Sequence, residues 1–323
     1  MRRLVIGGRR SSSGARHARG FTLLELTLAM PLGLLVVMAA IAIYLAGLRL
    51  WRVQVARLDV QQRAVFALTQ LTRAVRMAGY RNWDPMEGGA MPPPTGKRDW
   101  ISLRAADECA NSVETCPRRG WQGSALVEVQ YHGAGVKPGN GAIQNCGGKR
   151  APTTFYSNDR HINIFYVAKG EDGLPSLFCR YNDPEKMPSK LKPGQVLVAG
   201  VEAMYVRLGV RGGSSRVIGG ERMFWIEPVK SARGKRPLVP IGISDWEDVE
   251  AVAFSLVLRG APRAGVRKGT ARVVEVFDAK SGGGTYKRLA DAGQFHLHVF
   301  TAIAHRRNDG GFGKEAAWLA SSL

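Results

Sequence analysis

One carboxylate stands where an ionised group is costly. Glu25 lies in FTLLELTLAMPLGLLVVMAAIAIYLAGL, residues 21–48, and no other residue of that run carries a charge. An ionised side chain within a bilayer costs on the order of 3 kcal/mol, so it is normally paired or functional. Two accounts are open. Glu25 lies six residues from Arg19 and could snorkel to the headgroups, or it could be paired or functional. His296 and His298 alternate on an expected strand and so share a face, which suits two metal ligands or half of an acid–base site. No carboxylate motif accompanies them, and a polar strand face is the simpler reading. HGAGVKPGNGAI (His132 to Ile143) and SGGGTYKR (Ser281 to Arg288) are rich in glycine, but neither has the spacing of a phosphate-binding loop, and both read as flexible loops. There is no G-x-S-x-G elbow and no H-E-x2-H, so the sequence lends no support to an enzyme and calls for no cofactor or metal.

The four cysteines, Cys109, Cys116, Cys146 and Cys179, all follow the apolar run. Their spacing contains no zinc knuckle, and disulfides are expected if that part of the chain is outside the cytosol. Three pairings are open; proximity in sequence favours Cys109 with Cys116 and Cys146 with Cys179.

These residues have to be positioned by a few elements. Leu26 to Leu48 gives 23 uncharged residues, enough to cross a hydrocarbon core of about 30 Å. Arg2, Arg3, Arg9, Arg10, Arg16 and Arg19 precede it without an acid, an arrangement that predicts a cytoplasmic N-terminus and an exported remainder. The apolar stretch is too long for an ordinary secretory signal, and Arg9–Arg10 lie too far from it for a twin-arginine signal. Beyond it, Trp51, Val55, Leu58, Val65, Leu68, Leu71 and Val75 recur at helical spacing, while Arg52, Arg57, Asp59, Gln62, Arg63 and Arg73 take other faces. The span and this amphipathic stretch are expected to form one helix stopped at Gly79. Pro31 and Gly33 predict a kink or an unwound turn near residues 27 to 33, either as a simple kinked span or as a weak point that lets the helix stretch.

Four regions result: a basic leader, 1–20; a long helix, 21–79, with its apolar segment at 21–48; a Pro/Gly-rich loop, 80–99; and a β-rich globular domain, 100–323. Strands are expected at Trp100 to Leu103, Ala125 to Tyr131, Ile162 to Val167, Leu177 to Tyr181, Val196 to Val210 with a break near Gly200, Met223 to Ile226, Val249 to Leu258, and Phe295 to Ala304. SDWE (Ser244 to Glu247) fits a capping box, so a short helical turn is expected before the strand at Val249. The fold class is α+β, a long helix packed on a largely antiparallel sheet. The formal charge of +20 makes anionic partners, nucleic acid among them, electrostatically feasible, but support for them is weak. The clusters Lys230, Arg233, Lys235, Arg236 and Arg259, Arg263, Arg267, Lys268, Arg272 read as a solvated basic rim on loops.

The stretch GFTLLE, with Gly20 before Phe21 and Glu25 four residues beyond it, resembles the processing site of type IV prepilins and of type II secretion pseudopilins. RAVRMAGYR (Arg73 to Arg81), LVAGVEAMYVRLGV (Leu197 to Val210), VEAVAFSLVLRG (Val249 to Gly260) and the final strand ending HRRND (His305 to Asp309) narrow the resemblance to PilW-type minor pilins. It implies a pilin-like fold, cleavage by the prepilin peptidase between Gly20 and Phe21, N-methylation of Phe21, and pairing of Glu25 with the terminal ammonium of a neighbouring subunit. It further implies a protein that helps start type IV pilus assembly at or near the tip, moves from inner membrane to surface pilus, and supports adhesion, twitching motility or DNA uptake. The partners implied are other minor pilins, the major pilin, the inner-membrane assembly platform and a tip adhesin. A J-type minor pseudopilin of type II secretion is the alternative within the superfamily. A basic extracytoplasmic module binding DNA or surfaces is the alternative outside it.

Overall fold

A computed structural model describes residues 22–81, 101–112, 116, 118–136, 139–152, 160–182, 190–211, 223–228, 246–267 and 269–308. The expected processing bond, the loop at 82–99 and the cluster Lys230 to Arg236 lie outside them. The chain divides into two compact units, Met1–Val55 and Ala56–Leu323, and helix α1 (Leu23–Met77) contributes to both.

Within the first unit α1 buries nothing. Leu23 is 80% exposed, and Leu26, Leu32, Val36, Ile43 and Trp51 are exposed as well. The helix is long and apolar enough to cross a membrane. Of the two outcomes expected around Pro31 and Gly33, a kink or an unwound turn, the unwound turn does not occur, since α1 is helical through both. Proline deprives one carbonyl of its amide partner at a cost of about 3 kcal/mol, but the Leu-, Val- and Ala-rich turns on either side keep the remaining ladder cooperative.

In the second unit α1 packs by an alanine-rich face. Val60, Ala64, Ala67, Leu71, Ala74 and, just past the helix, Ala78 are buried, alternating in steps of four and three. That is the repeat of a helical stripe, and its small side chains let the helix backbone lie close to the strands. The stripe expected from the larger residues is corrected in part. Leu71 and Val75 are buried and Leu68 is half-buried, whereas Leu58 and Val65 are exposed. Gly79 ends the helix as expected, in the left-handed region at φ +74°, where a side chain would be strained; its amide donates to Gln130 O (2.9 Å) and leads the chain onto the first sheet.

That sheet is an antiparallel meander of β1 (Leu103–Ala106), β2 (Leu126–Tyr131), β3 (His161–Lys169), β4 (Pro175–Tyr181) and β5 (Gln195–Ala199). Strand β1 begins where the sequence suggested that a strand would end. At Gly200 (φ +76°) the chain turns into β6 (Val201–Arg211), which pairs with β7 (Met223–Ile226) and with β8 (Val249–Pro262); β8 pairs in turn with β11 (Phe295–His305). The expected helical turn before Val249 is present at Trp246–Asp248.

Strands β9 (Arg272–Val276) and β10 (Thr285–Leu289) form a separate antiparallel hairpin. The hairpin corrects the reading of SGGGTYKR as a flexible loop. The stretch opens with a capped turn, in which Asp278 Oδ1 accepts from the Ser281 amide at 3.0 Å, and then continues as β10. The hairpin covers the second face of the four-stranded sheet: Val274, Val276, Phe277 and Leu289 pack with Ala203, Tyr205, Ala253 and Val257. The other face of that sheet, with Met204, Val206, Leu208, Phe254, Leu256 and Leu258, shares the main core with α1. Burial on both faces explains why AVAFSLVL in β8 is nearly continuous in apolar residues.

Candidate assembly site

Of the site expected at the start of α1, the described residues include Glu25, whose carboxylate contacts Thr22. The Thr22 amide and hydroxyl both donate to Glu25 Oε2, at 3.0 and 3.1 Å, while the Glu25 amide donates to Thr22 Oγ1 at 3.2 Å. This is a reciprocal capping box: each side chain satisfies a backbone donor that the first helical turn would otherwise leave unpaired. The negative carboxylate also complements the positive end of the helix dipole. Neither effect neutralises it. Glu25 has no ion pair among the described residues, and its contacts use one of its two oxygens. Gly20 and Phe21, the other two residues of the expected site, lie outside the described residues.

The cysteines are joined as Cys109–Cys116 and Cys146–Cys179. Cys109 and Cys116 pack with Leu126, Ile164 and Tyr166, so this bridge pins a cover onto the outer face of the five-stranded sheet. The second ties the segment around Cys146 to β4, where Cys179 is buried in the main core.

His296 and His298 do lie on one strand, β11, but no group of three metal-capable side chains occurs among the described residues. Burial, with charges on His296 and Arg57 adding to it, pushes His298 below its ordinary value, so its ring is neutral near neutral pH.

A charged group not anticipated from the sequence sits inside the fold. Glu202 is fully buried; its Oε2 accepts from Arg259 Nη2 at 2.7 Å and Nε at 2.9 Å, and its Oε1 from Trp121 Nε1 at 3.4 Å and Gln122 Nε2 at 3.3 Å. Arg259 therefore belongs to β8 and a buried pair, and Arg272 lies in β9; neither is on a solvated loop. Arg63 is likewise not a purely solvent-facing residue. It pairs with Asp59 at 2.7 Å and donates to the carbonyls of Ala199 (3.1 Å) and Arg259 (3.4 Å), fastening α1 to the turn at Gly200 and to β8. A Glu inside the apolar run VEAMYV and an Arg ending VLRG, on strands that pair, was the available signal.

A long N-terminal helix, apolar and exposed in its first part and packed on antiparallel sheets in its last, defines a pilin-like α+β protein. Residues 164–308 match the family model of Type IV Pilus-assembly protein W, PilW. The match supports a PilW-type type IV pilus protein. It runs from β3 to the end of the described chain and includes no residue of α1. An apolar helix near the N-terminus and a pilus family together fit anchoring in the inner membrane. No curated protein and no solved structure matches the chain.

Proposed function

We propose that this protein is a minor pilin that helps initiate type IV pilus assembly and enters the filament at or near its tip. The observation that carries the reading is the union, in one chain, of two independent signals: a helix whose exposed apolar first part opens on a Glu25 with no ion pair among the described residues, and a match of residues 164–308 to PilW that includes nothing of that helix.

The apolar half of α1 holds the precursor in the inner membrane, with the β-domain in the periplasm. The prepilin peptidase removes residues 1–20, and the new amine at Phe21 is methylated. During docking the Glu25 carboxylate of one subunit meets the Phe21 ammonium of the next. A carboxylate in hydrocarbon is stabilised when a cation arrives, so the pairing both favours association and fixes its register. The capping box is compatible with this role, because it orients the carboxylate at the helix start and itself engages only one of its two oxygens. Other minor pilins, the major pilin and the assembly platform are the partners this mechanism requires.

Intact-mass measurement of the protein purified from its own membrane is the test. A chain beginning at Phe21 with one added methyl group is the expected product; an uncut chain overturns the proposal.

A further inference from the structure

The outer strands of the two larger sheets differ in length. β1 has 4 residues, β5 has 5 and β7 has 4, whereas β11 has 11. A short edge offers little backbone to pair with, and longer edges are usually guarded by charges, proline or bulges. β11 lacks such guards: Phe295–His305 contains no Lys, Arg, Asp, Glu or Pro, and its one register shift lies at its start, between Phe295 and Leu297. Most of its residues are partly exposed.

The register fixes which backbone groups of β11 face outwards. The Arg306 amide donates to Glu250 O at 2.8 Å, and this pair continues the register that sets His305 against Ala251. Bonded and non-bonded pairs alternate along an antiparallel ladder, so Ala304, Ala302, Phe300 and His298 bond to β8 and the residues between them do not. The N–H and C=O groups of Leu297, Val299, Thr301, Ile303 and His305 therefore point away from β8, and no other described strand pairs with them.

The residues along this edge match themselves. In a second copy laid antiparallel, with a two-fold axis at Thr301, Thr301 meets Thr301, Val299 meets Ile303 and Leu297 meets His305. Each such pair exchanges two backbone hydrogen bonds. Thr–Thr and β-branched pairs are favourable across strands, and at the alternate positions the large Phe300 and His298 meet the small Ala302 and Ala304. No Lys, Arg, Asp or Glu lies between Leu297 and His305, so no like charges are opposed there. Moving the axis to Ala302 would instead set Leu297 against Arg307 and His298 against Arg306.

We infer that β11 is the docking edge for a second copy of this chain, the two strands pairing antiparallel about Thr301 and joining two four-stranded sheets into one. The contact uses the same edge on both copies, so it closes as a dimer. It stands on the edge alone and does not depend on the protein's being a pilin.

Cysteine crosslinking of the full chain in its membrane tests it. The native cysteines are all paired, so Thr301→Cys adds a lone thiol. Opposed bonded residues lie about 5.5 Å apart at Cα, within disulfide range, and mild oxidation is expected to link two copies of the chain. Tyr286→Cys, 71% exposed on β10, should give little of that product. Thr301→Lys opposes two ammonium groups across the axis. It is expected to turn a dimer into a monomer in sedimentation of the chain held in micelles, with the urea midpoint unchanged; should that variant fail to fold, the crosslink decides alone. A yield from Thr301→Cys no higher than from Tyr286→Cys, a product containing a different protein, or a dimer that survives in folded Thr301→Lys would each overturn the inference.

Discussion

Two glutamates in apolar surroundings show how differently one chain can handle a costly charge. Glu202 is buried in β6 and finds its countercharge in the same molecule, with Arg259 on one oxygen and Trp121 and Gln122 on the other. Glu25, at the head of an exposed apolar helix, is held by its own first turn through neutral donors and has no cation among the described residues. A carboxylate satisfied from within serves the fold. In the proposed assembly, one left to be satisfied from outside serves association, because its neutralisation becomes part of the docking energy.

The comparison can be broken from the Glu202 side first. Arg259→Met strands a buried carboxylate and is expected to cost about 3–5 kcal/mol, whereas Glu202→Leu with Arg259→Met should recover much of the loss. Urea unfolding of the full chain in micelles measures both; a single variant as stable as wild type would show that Glu202 does not depend on its partner. Removing the longer disulfide loop, with Cys146→Ser and Cys179→Ser together, is expected to cost about 2–4 kcal/mol in the same assay. Acid provides a third perturbation of the fold. Burial, with the charges of Arg160, Arg81 and His161, pushes His132 down to about 4 from its ordinary 6.5. Between pH 6.5 and 4 the unfolded chain takes up a proton that the folded one refuses, so stability falls with pH across that window, by up to about 3 kcal/mol. His132→Gln should flatten this dependence, and an unchanged pH profile would dismiss the assignment. The smallest effect belongs to the Glu25 side. Thr22→Ala removes one half of the capping box and is expected to cost about 1 kcal/mol of local helix stability. Faster amide exchange confined to the first turn of α1 would show it, and unchanged exchange there would contradict the cap.

Much of the fold was legible in the sequence because it rests on local chemistry: Gly79 stopping the helix, Gly200 breaking the run from Leu197 to Val210, and the proximity of the cysteines. The rest depended on what covers what. The β9–β10 hairpin is hard to read because Arg272, Glu275, Lys287 and Arg288 interrupt its apolar residues and a glycine run precedes β10; only packing on Ala203 and Val257 shows it to be a covering layer. The packing face of α1 was misjudged towards bulk. Leu58 and Val65 catch the eye, yet the helix approaches the strands through Ala64, Ala67, Ala74 and Ala78, whose regular spacing was readable once alanine is counted as apolar. At the site, Glu25 stood out from its surroundings alone. Its bond to Thr22 is the reciprocal pair that the T-x-x-E spacing encodes, and the spacing of GFTLLE draws attention instead to the glycine and phenylalanine.

The central claim is that the missing partner of Glu25 belongs to another subunit. It is tested most directly by producing Glu25→Ala as the sole copy in the native cell and assaying both the mature N-terminus and the sheared filaments. The account predicts a chain still cut after Gly20 and still membrane-bound, but absent from filaments, with few pili assembled. Normal piliation with the variant present in the filament would contradict it.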